Sequence, residues 1–415
     1  LMPIGISFYT FQALSYTVDI YRGTREPERN FGMLALFVSF FPVLLSGPIE
    51  RSTTLLPQLY KKVEFNYGRV ADGLKLMAWG FFQKLVIADR LNVYVSMVYG
   101  EPRLVKGLPL LVATYFFVIQ VYCDFSGYTD IAIGTAQVLG YDLLPNFRRP
   151  FFAPSIAEFW RRWHMTLISW LRDYIYIPLG GNRVSRLKWY FNIMVVFTVS
   201  GLWHGAQWTF VIWGAMNGVL IVLSRMTQTA RDWIREHLTL GLSKIPAAAY
   251  LGSGAILAAL GAWGGVLGTG ARIASGAFGL ALCGLGVLKT RGELFGRFLD
   301  SAKKLWMILV TFHLFVFGAI FFRAKDMADA WYVTTHFPGL NFSDIKLYFK
   351  TGDLLVMTGL AILLLAVHFV QEKWGSIRQM LKPRPLILRW AVYYLFVMSL
   401  FAGMYKTAQF IYFQF

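Results

Sequence analysis

The chain has 415 residues, 56% of them apolar and 15% charged, whereas a soluble globular protein carries about 45–50% apolar and about 25% charged residues. The formal net charge of +18 comes from Lys and Arg in short segments between apolar runs, a positive-inside pattern whose partner is anionic membrane lipid. No element is built to enter a nucleic-acid groove. The two cysteines, Cys123 and Cys283, show neither CxxC nor metal-type spacing, which argues against a disulfide framework and a zinc site.

In chain order, Leu1 opens a Pro-, Gly- and aromatic-rich start without an initiator Met, which reads as a chain lacking its true N-terminus. A short helix and a polar connector, Arg22 to Asn30, come first. The charge-free run from Asn30 to Ile49 reads as a first span closing at Ser46-Gly47-Pro48. Asp72 to Gly100 alternates aromatic with charged residues, as in an interfacial or partly buried helix. A span near Leu108 to Cys123 follows. Ser155 and Glu158 form a capping box that starts a helix running to Tyr176. That helix should place Trp160, Trp163, Trp170 and Tyr174 opposite Glu158, Arg161, Arg162, Arg172 and Asp173, lying at the membrane boundary. Trp189 to Ser224 is charge-free and, at about 54 Å if straight, too long for roughly 30 Å of hydrocarbon; it should break at Gly201-Leu-Trp-His-Gly205. Residues 247–286 are rich in Gly and Ala and read as a helical hairpin insert with small-residue packing. Three further spans with basic connectors follow Phe298. The expectation is an all-α polytopic membrane protein with about nine to eleven membrane helices, one domain over residues 1–415, with no internal repeat and no soluble domain.

The sequence contains no GxSxG, P-loop, HExxH or strand-following GxGxxG. His204 lies between glycines deep in an uncharged stretch. A neutral imidazole there can take a proton from a hydroxyl, or can bond a carbonyl on a neighbouring helix; its position alone leaves both readings open. His164, on the flank of the tryptophan-bearing helix, reaches His204 if that helix packs against the break at Gly201; otherwise it anchors the interface beside Trp163. His313 and His368 read as structural, His237 and His336 as solvated residues in polar connectors. Asp124 and Asp130 bracket Phe-Ser-Gly-Tyr at a span end and are expected to form ion pairs with Arg148, Arg149, Arg161 or Arg162. Asp124 also makes Cys123 a poor nucleophile.

Taken together, Leu1-Met-Pro-Ile-Gly-Ile-Ser-Phe-Tyr-Thr-Phe11, Ser46-Gly47-Pro48, Asp124-Phe-Ser-Gly-Tyr-Thr-Asp130, Glu158-Phe-Trp-Arg-Arg-Trp-His164, Trp170-Leu-Arg-Asp-Tyr-Ile-Tyr176, Leu179-Gly-Gly-Asn-Arg183 and Gly201-Leu-Trp-His-Gly-Ala206 resemble the membrane-bound O-acyltransferase family, in its bacterial branch that O-acetylates alginate and other polysaccharides. The match runs from Leu1 to about Gly218 and resumes at Phe321-Phe-Arg-Ala324. The resemblance implies a ring of transmembrane helices around a funnel or tunnel, with His204 at its centre and His164 as second catalytic-site histidine. Trp203, Asn217, Asp124, Asp130 and Arg162 would line the substrate tunnel. It also implies additional N-terminal membrane helices, a multi-pass location in the bacterial inner membrane, and no bound cofactor. The donor substrate would be acetyl-CoA or an acyl-carrier thioester, and the partner a periplasmic polysaccharide acetyltransferase. Asn217 stands where relatives often have His, and residues 247–286 match no family motif. Two alternatives stay open: D-alanylation of a cell-wall polymer, and a non-catalytic transporter, for which the paired broken helices and inverted repeats are missing.

Overall fold

The computed structural model describes residues 5–263, 269–337 and 350–403. The opening Leu1-Met-Pro-Ile4 of the first motif and residues 264–268 of the Gly/Ala-rich stretch lie outside them. The described residues are helical with no strand, and they form two compact units, residues 1–222 with 311–415, and residues 223–310.

In the larger unit, α1 (Ile6–Tyr21), α2 (Phe31–Val38), α3 (Phe41–Leu44) and α4 (Ser52–Leu59) precede α5 (Tyr67–Phe81). The run expected as a first span is therefore two short helices. Asn30 caps α2 through its side chain, which accepts the Met33 N–H, and α2 ends at Ser39, two residues before α3 with its Pro42. A π-helix, Phe82–Ala88, joins α5 to α6 (Asp89–Gly100) without a break. The longest neighbour is α7 (Leu108–Leu139), which passes through Asp124 and Asp130; these residues sit mid-helix, not at a span end.

Glycines let α5 and α7 touch backbone to backbone. A β-carbon on Gly73 would lie 2.7 Å from the Gly134 carbonyl oxygen, and one on Gly80 would lie 2.5 Å from that of Gly127. The two pairs run in opposite directions along equal seven-residue spacings, so the helices are antiparallel and share a small-residue seam. Against that seam the wide π turn presents buried Gln83 and Lys84. Lys84 Nζ lies 2.8 Å from Asp89 and 2.6 Å from Asp124. Gln83 donates to Asp130 at 2.7 Å and accepts from Ser126 at 3.0 Å. The partners expected for the two aspartates thus give way to a lysine and a glutamine. The nearby arginines go elsewhere: Arg149 and Arg162 both bind Glu372, at 2.7 Å and 2.9 Å, because a carboxylate on the helix Thr351–Trp374 reaches them and α7 does not.

Next come α8 (Ile156–Arg162), α9 (Met165–Leu171) with a π turn at Arg172–Tyr176, α10 (Arg186–His204) and α11 (Trp208–Met226). The break expected at Gly201-Leu-Trp-His-Gly205 falls at Gly205, the end of that segment. In the smaller unit, α12 (Gln228–Lys244) precedes α13 (Ala247–Trp263) and α14 (Thr269–Thr290). These last two approach at Gly254 against Cys283 and at Gly279 against Ala258, an antiparallel pairing allowed by the missing side chains. Then follow α15 (Gly292–Arg323), α16 (Met327–His336), α17 (Thr351–Trp374), α18 (Ile377–Leu381) and α19 (Leu386–Gly403). His237 and His336 are exposed as expected, though on α12 and α16 rather than in connectors.

Among the described residues four helices are long and apolar enough to cross a membrane: α7, α11, α15 and α17. That is fewer than the charge-free runs suggested, since several runs fold as short helices. The apolar surface and helix lengths are those of an all-α membrane protein.

Candidate active site

The segment carrying His164 is not one helix. Ser155 caps α8 by accepting the Glu158 N–H at 3.2 Å, but the Glu158 carboxylate turns to Arg162 at 2.9 Å instead of closing the box. The chain then reverses at His164, whose φ of 46° and ψ of 52° put it in the left-handed region. A non-glycine residue held there is strained and needs surrounding bonds to keep it in place. Asn146, fully buried, supplies them. Its backbone carbonyl accepts the Met165 N–H at 2.9 Å. Its side-chain oxygen lies 3.0 Å from His164 Nδ1, and accepts from Thr166 N–H at 3.3 Å and Thr166 Oγ1 at 3.0 Å. The Thr166 hydroxyl in turn accepts the Ile49 N–H at 3.0 Å, which ties the Ser46-Gly47-Pro48 loop to the histidine. Despite the break, the expected faces persist: Trp160, Trp163 and Trp170 are buried, and Arg161 and Arg172 point outward.

His164 is 2% exposed and packed by rings. Phe125 meets it edge-on at 4.6 Å, Phe8 lies at 6.3 Å and Trp203 at 6.2 Å. Burial pushes its pKa well below the ordinary histidine value, and the neighbouring His204 adds to this, so it is a neutral imidazole. Its Nε2 makes no hydrogen bond among the described residues.

His204 ends α10 and is partly exposed. Its ring stands 4.7 Å from Trp203, 5.3 Å from Trp213 on α11 and 5.1 Å from Phe322 of the Phe-Phe-Arg-Ala motif. Trp203 therefore touches both histidines, and their centroids are no further apart than the sum of their distances to it. The glycines beside His204 admit protein rather than ligand. A β-carbon on Gly201 would sit 2.3 Å from the Phe210 carbonyl oxygen, and one on Gly205 would sit 2.5 Å from the Phe210 ring.

The other residues assigned to a tunnel are held in separate contacts. Asp124 is on Lys84, Asp130 on Gln83, and Arg162 on Glu158 and Glu372. Asn217 is buried and donates to the Trp213 carbonyl one turn back, at 2.8 Å. Its side chain is thus committed beneath a residue that contacts His204. His368 is buried with Tyr122 at 3.3 Å, in line with a structural role.

The model of the membrane-bound O-acyltransferase family matches residues 30–241, half of the chain, including both histidines. The chain belongs to that family. Among its relatives in the family is a protein named probable alginate O-acetylase AlgI, from Azotobacter vinelandii. It is 42% identical over 225 residues, 54% of this chain and 45% of the relative. A peptidoglycan O-acetyltransferase from Helicobacter pylori is 37% identical over 251 residues, 54% of this chain and 48% of the relative. A teichoic acid D-alanyltransferase from Bacillus subtilis is 30% identical over 229 residues, 52% of this chain and 58% of the relative. The chain spans about half the length of the curated relatives it matches.

Within this family member, Asn146, Thr166 and Phe322 were not singled out individually in the sequence. Asn146 stands eighteen positions before His164, in Pro-Asn-Phe; its contact is made only because the connector folds back alongside α9. A polar amide between Pro145 and Phe147, just ahead of an aromatic-rich segment, was the available signal.

Proposed function

We propose that this chain carries the acyl-transfer centre of a multi-pass protein of the bacterial inner membrane, which moves acetyl groups from a cytoplasmic thioester toward an exported polysaccharide. The observation that carries the reading is the placement of buried His164 and partly exposed His204 each beside the ring of Trp203, close enough for His204 to act electrostatically on His164. The relatives' names, O-acetylases of alginate and peptidoglycan, support acetyl as the acyl group and a polysaccharide as the acceptor. The donor is acetyl-CoA or an acyl carrier, and a periplasmic polysaccharide acetyltransferase receives the product.

In the proposed step, the acceptor hydroxyl oxygen attacks the thioester carbonyl carbon while His204 takes the hydroxyl proton. The carbon–sulfur bond breaks, and the proton passes to the departing sulfur. One ester and one thiol result. A thioester is already activated, so positioning and a base suffice, and the base contributes about 10²–10⁴-fold. His164 assists by holding the hydroxyl or by sharing the proton.

The test is acetyl content of the exported polymer per molecule of membrane-inserted full-length protein. His204→Ala should lose about 10²–10⁴-fold with normal insertion, and His164→Ala should lose less if it only assists. Near wild-type acetylation in His204→Ala overturns the mechanism. Transfer of D-alanine but not acetate would overturn the assignment of the acyl group while leaving the two histidines in place.

A further inference from the structure

Resting on that reading, we propose that Asn146 is the positioning residue that fixes the tautomer of His164. It holds the proton on Nδ1 and leaves Nε2 as a lone-pair acceptor for a hydroxyl of the alcohol substrate other than the one whose proton His204 takes.

The direction of each hydrogen bond follows from chemistry alone. A backbone N–H can only donate, so the Asn146 side-chain atom facing Thr166 N–H at 3.3 Å is its oxygen. The Thr166 hydroxyl accepts from Ile49 N–H and sends its own proton to the same oxygen at 3.0 Å. An amide oxygen surrounded by donors can meet His164 Nδ1, 3.0 Å away, only if Nδ1 carries a proton. A neutral imidazole has one N–H, so Nε2 is bare. That nitrogen belongs to a residue 2% exposed and is without a hydrogen-bond partner among the described residues. A buried acceptor is costly to leave unmet, so Nε2 is matched to a donor brought by the ligand. An acceptor alcohol supplies a donor; a thioester carbonyl does not. His164 accordingly faces the alcohol substrate.

The competing account is that Asn146 merely caps α9, since it also satisfies the Met165 and Thr166 N–H groups. The two accounts separate in Asn146→Asp. A carboxylate keeps every acceptor contact, so a cap would be preserved with an unchanged pH profile. A carboxylate beside Nδ1–H also stabilises the imidazolium, so a positioning role moves the acid limb of the transfer profile to higher pH.

The experiment uses full-length protein in membranes, carrying ¹⁵N-labelled histidine, with the His164 signals identified by their loss in His164→Ala. Solid-state NMR should show wild-type His164 protonated on Nδ1 and bare on Nε2. Asn146→Leu should lose that single tautomer and about 10²-fold or more of the transfer rate per folded molecule. Asn146→Asp should keep the tautomer and shift the acid limb upward; it also keeps the test decisive where the leucine variant does not fold. A wild-type His164 protonated on Nε2, or an Asn146→Asp profile superimposable on wild type, overturns the proposal. Full transfer by His164→Ala would instead overturn the role given to His164 under Proposed function, while the NMR spectra alone still decide whether Asn146 sets the tautomer.

Discussion

Replacing Gly214 by alanine perturbs the site without touching a histidine. The new β-carbon would stand 2.3 Å from the Phe197 carbonyl oxygen and 3.0 Å from Gly201 Cα, both backbone atoms of α10. Ordinary carbon contacts begin near about 3.5 Å, so α10 and α11 must separate by about 1 Å. Overpacking of this kind costs about 1–3 kcal/mol. Trp213, adjacent on α11, is a wall of the His204 ring, and a misplacement of about 1 Å can cost about 10²-fold in rate. The control is Gly218→Ala, four residues further along α11, where the nearest atom is the flexible Met194 sulfur at 2.9 Å. The assays are thermal unfolding in detergent and acetyl transfer per folded molecule. Gly214→Ala should be impaired in both and Gly218→Ala nearly normal. Wild-type behaviour of Gly214→Ala in both assays would refute the tight crossing. A lowered melting point with unchanged transfer would refute its link to the geometry around His204.

Two further predictions concern buried charge. Glu50 is fully buried and receives hydrogen bonds from the Leu144 N–H at 2.7 Å and Thr54 Oγ1 at 3.1 Å; burial nevertheless pushes its carboxyl up from 4.5 to about 7. The folded state then binds a proton more tightly than the unfolded one, so stability should fall as pH rises between 4.5 and about 7 and level off above. Glu50→Gln should flatten that slope in melting curves, and an unchanged slope would contradict the assignment. Lys84→Met strips the cation from between Asp89 and Asp124, which are 1% and 2% exposed. Breaking such a pair costs about 3–5 kcal/mol, so the yield of folded full-length protein should drop sharply and recover in part when Asp124→Asn is added; undiminished yield in the single variant would argue against the bridge.

Particular residues show how far the sequence could be read. The break after Gly201 was legible because the apolar run exceeded the bilayer and contained glycine near its middle; α10 indeed ends at His204. The tryptophan face opposite Arg161 and Arg172 was legible from periodicity, although its burial was not. The left-handed reversal at His164 was not, because nothing in Trp-His-Met disfavours continuing a helix; Asn146, far back in the chain, imposes it. Pairing of Asp124 and Asp130 was misjudged for a similar reason. The nearest arginines in sequence belong to a different contact, and the π turn that delivers Lys84 and Gln83 leaves no mark in hydropathy.

The ring enclosure of His164 carries a consequence for side reactions. A water molecule settles in a protein interior where two to four polar partners hold it, and Phe8, Phe125 and Trp203 offer mainly carbon faces and edges to the imidazole. In the proposed transfer, a thioester held near such a wall would meet few water molecules able to hydrolyse it. The proposed reaction would thereby spend the activated acyl group on an alcohol and not on water.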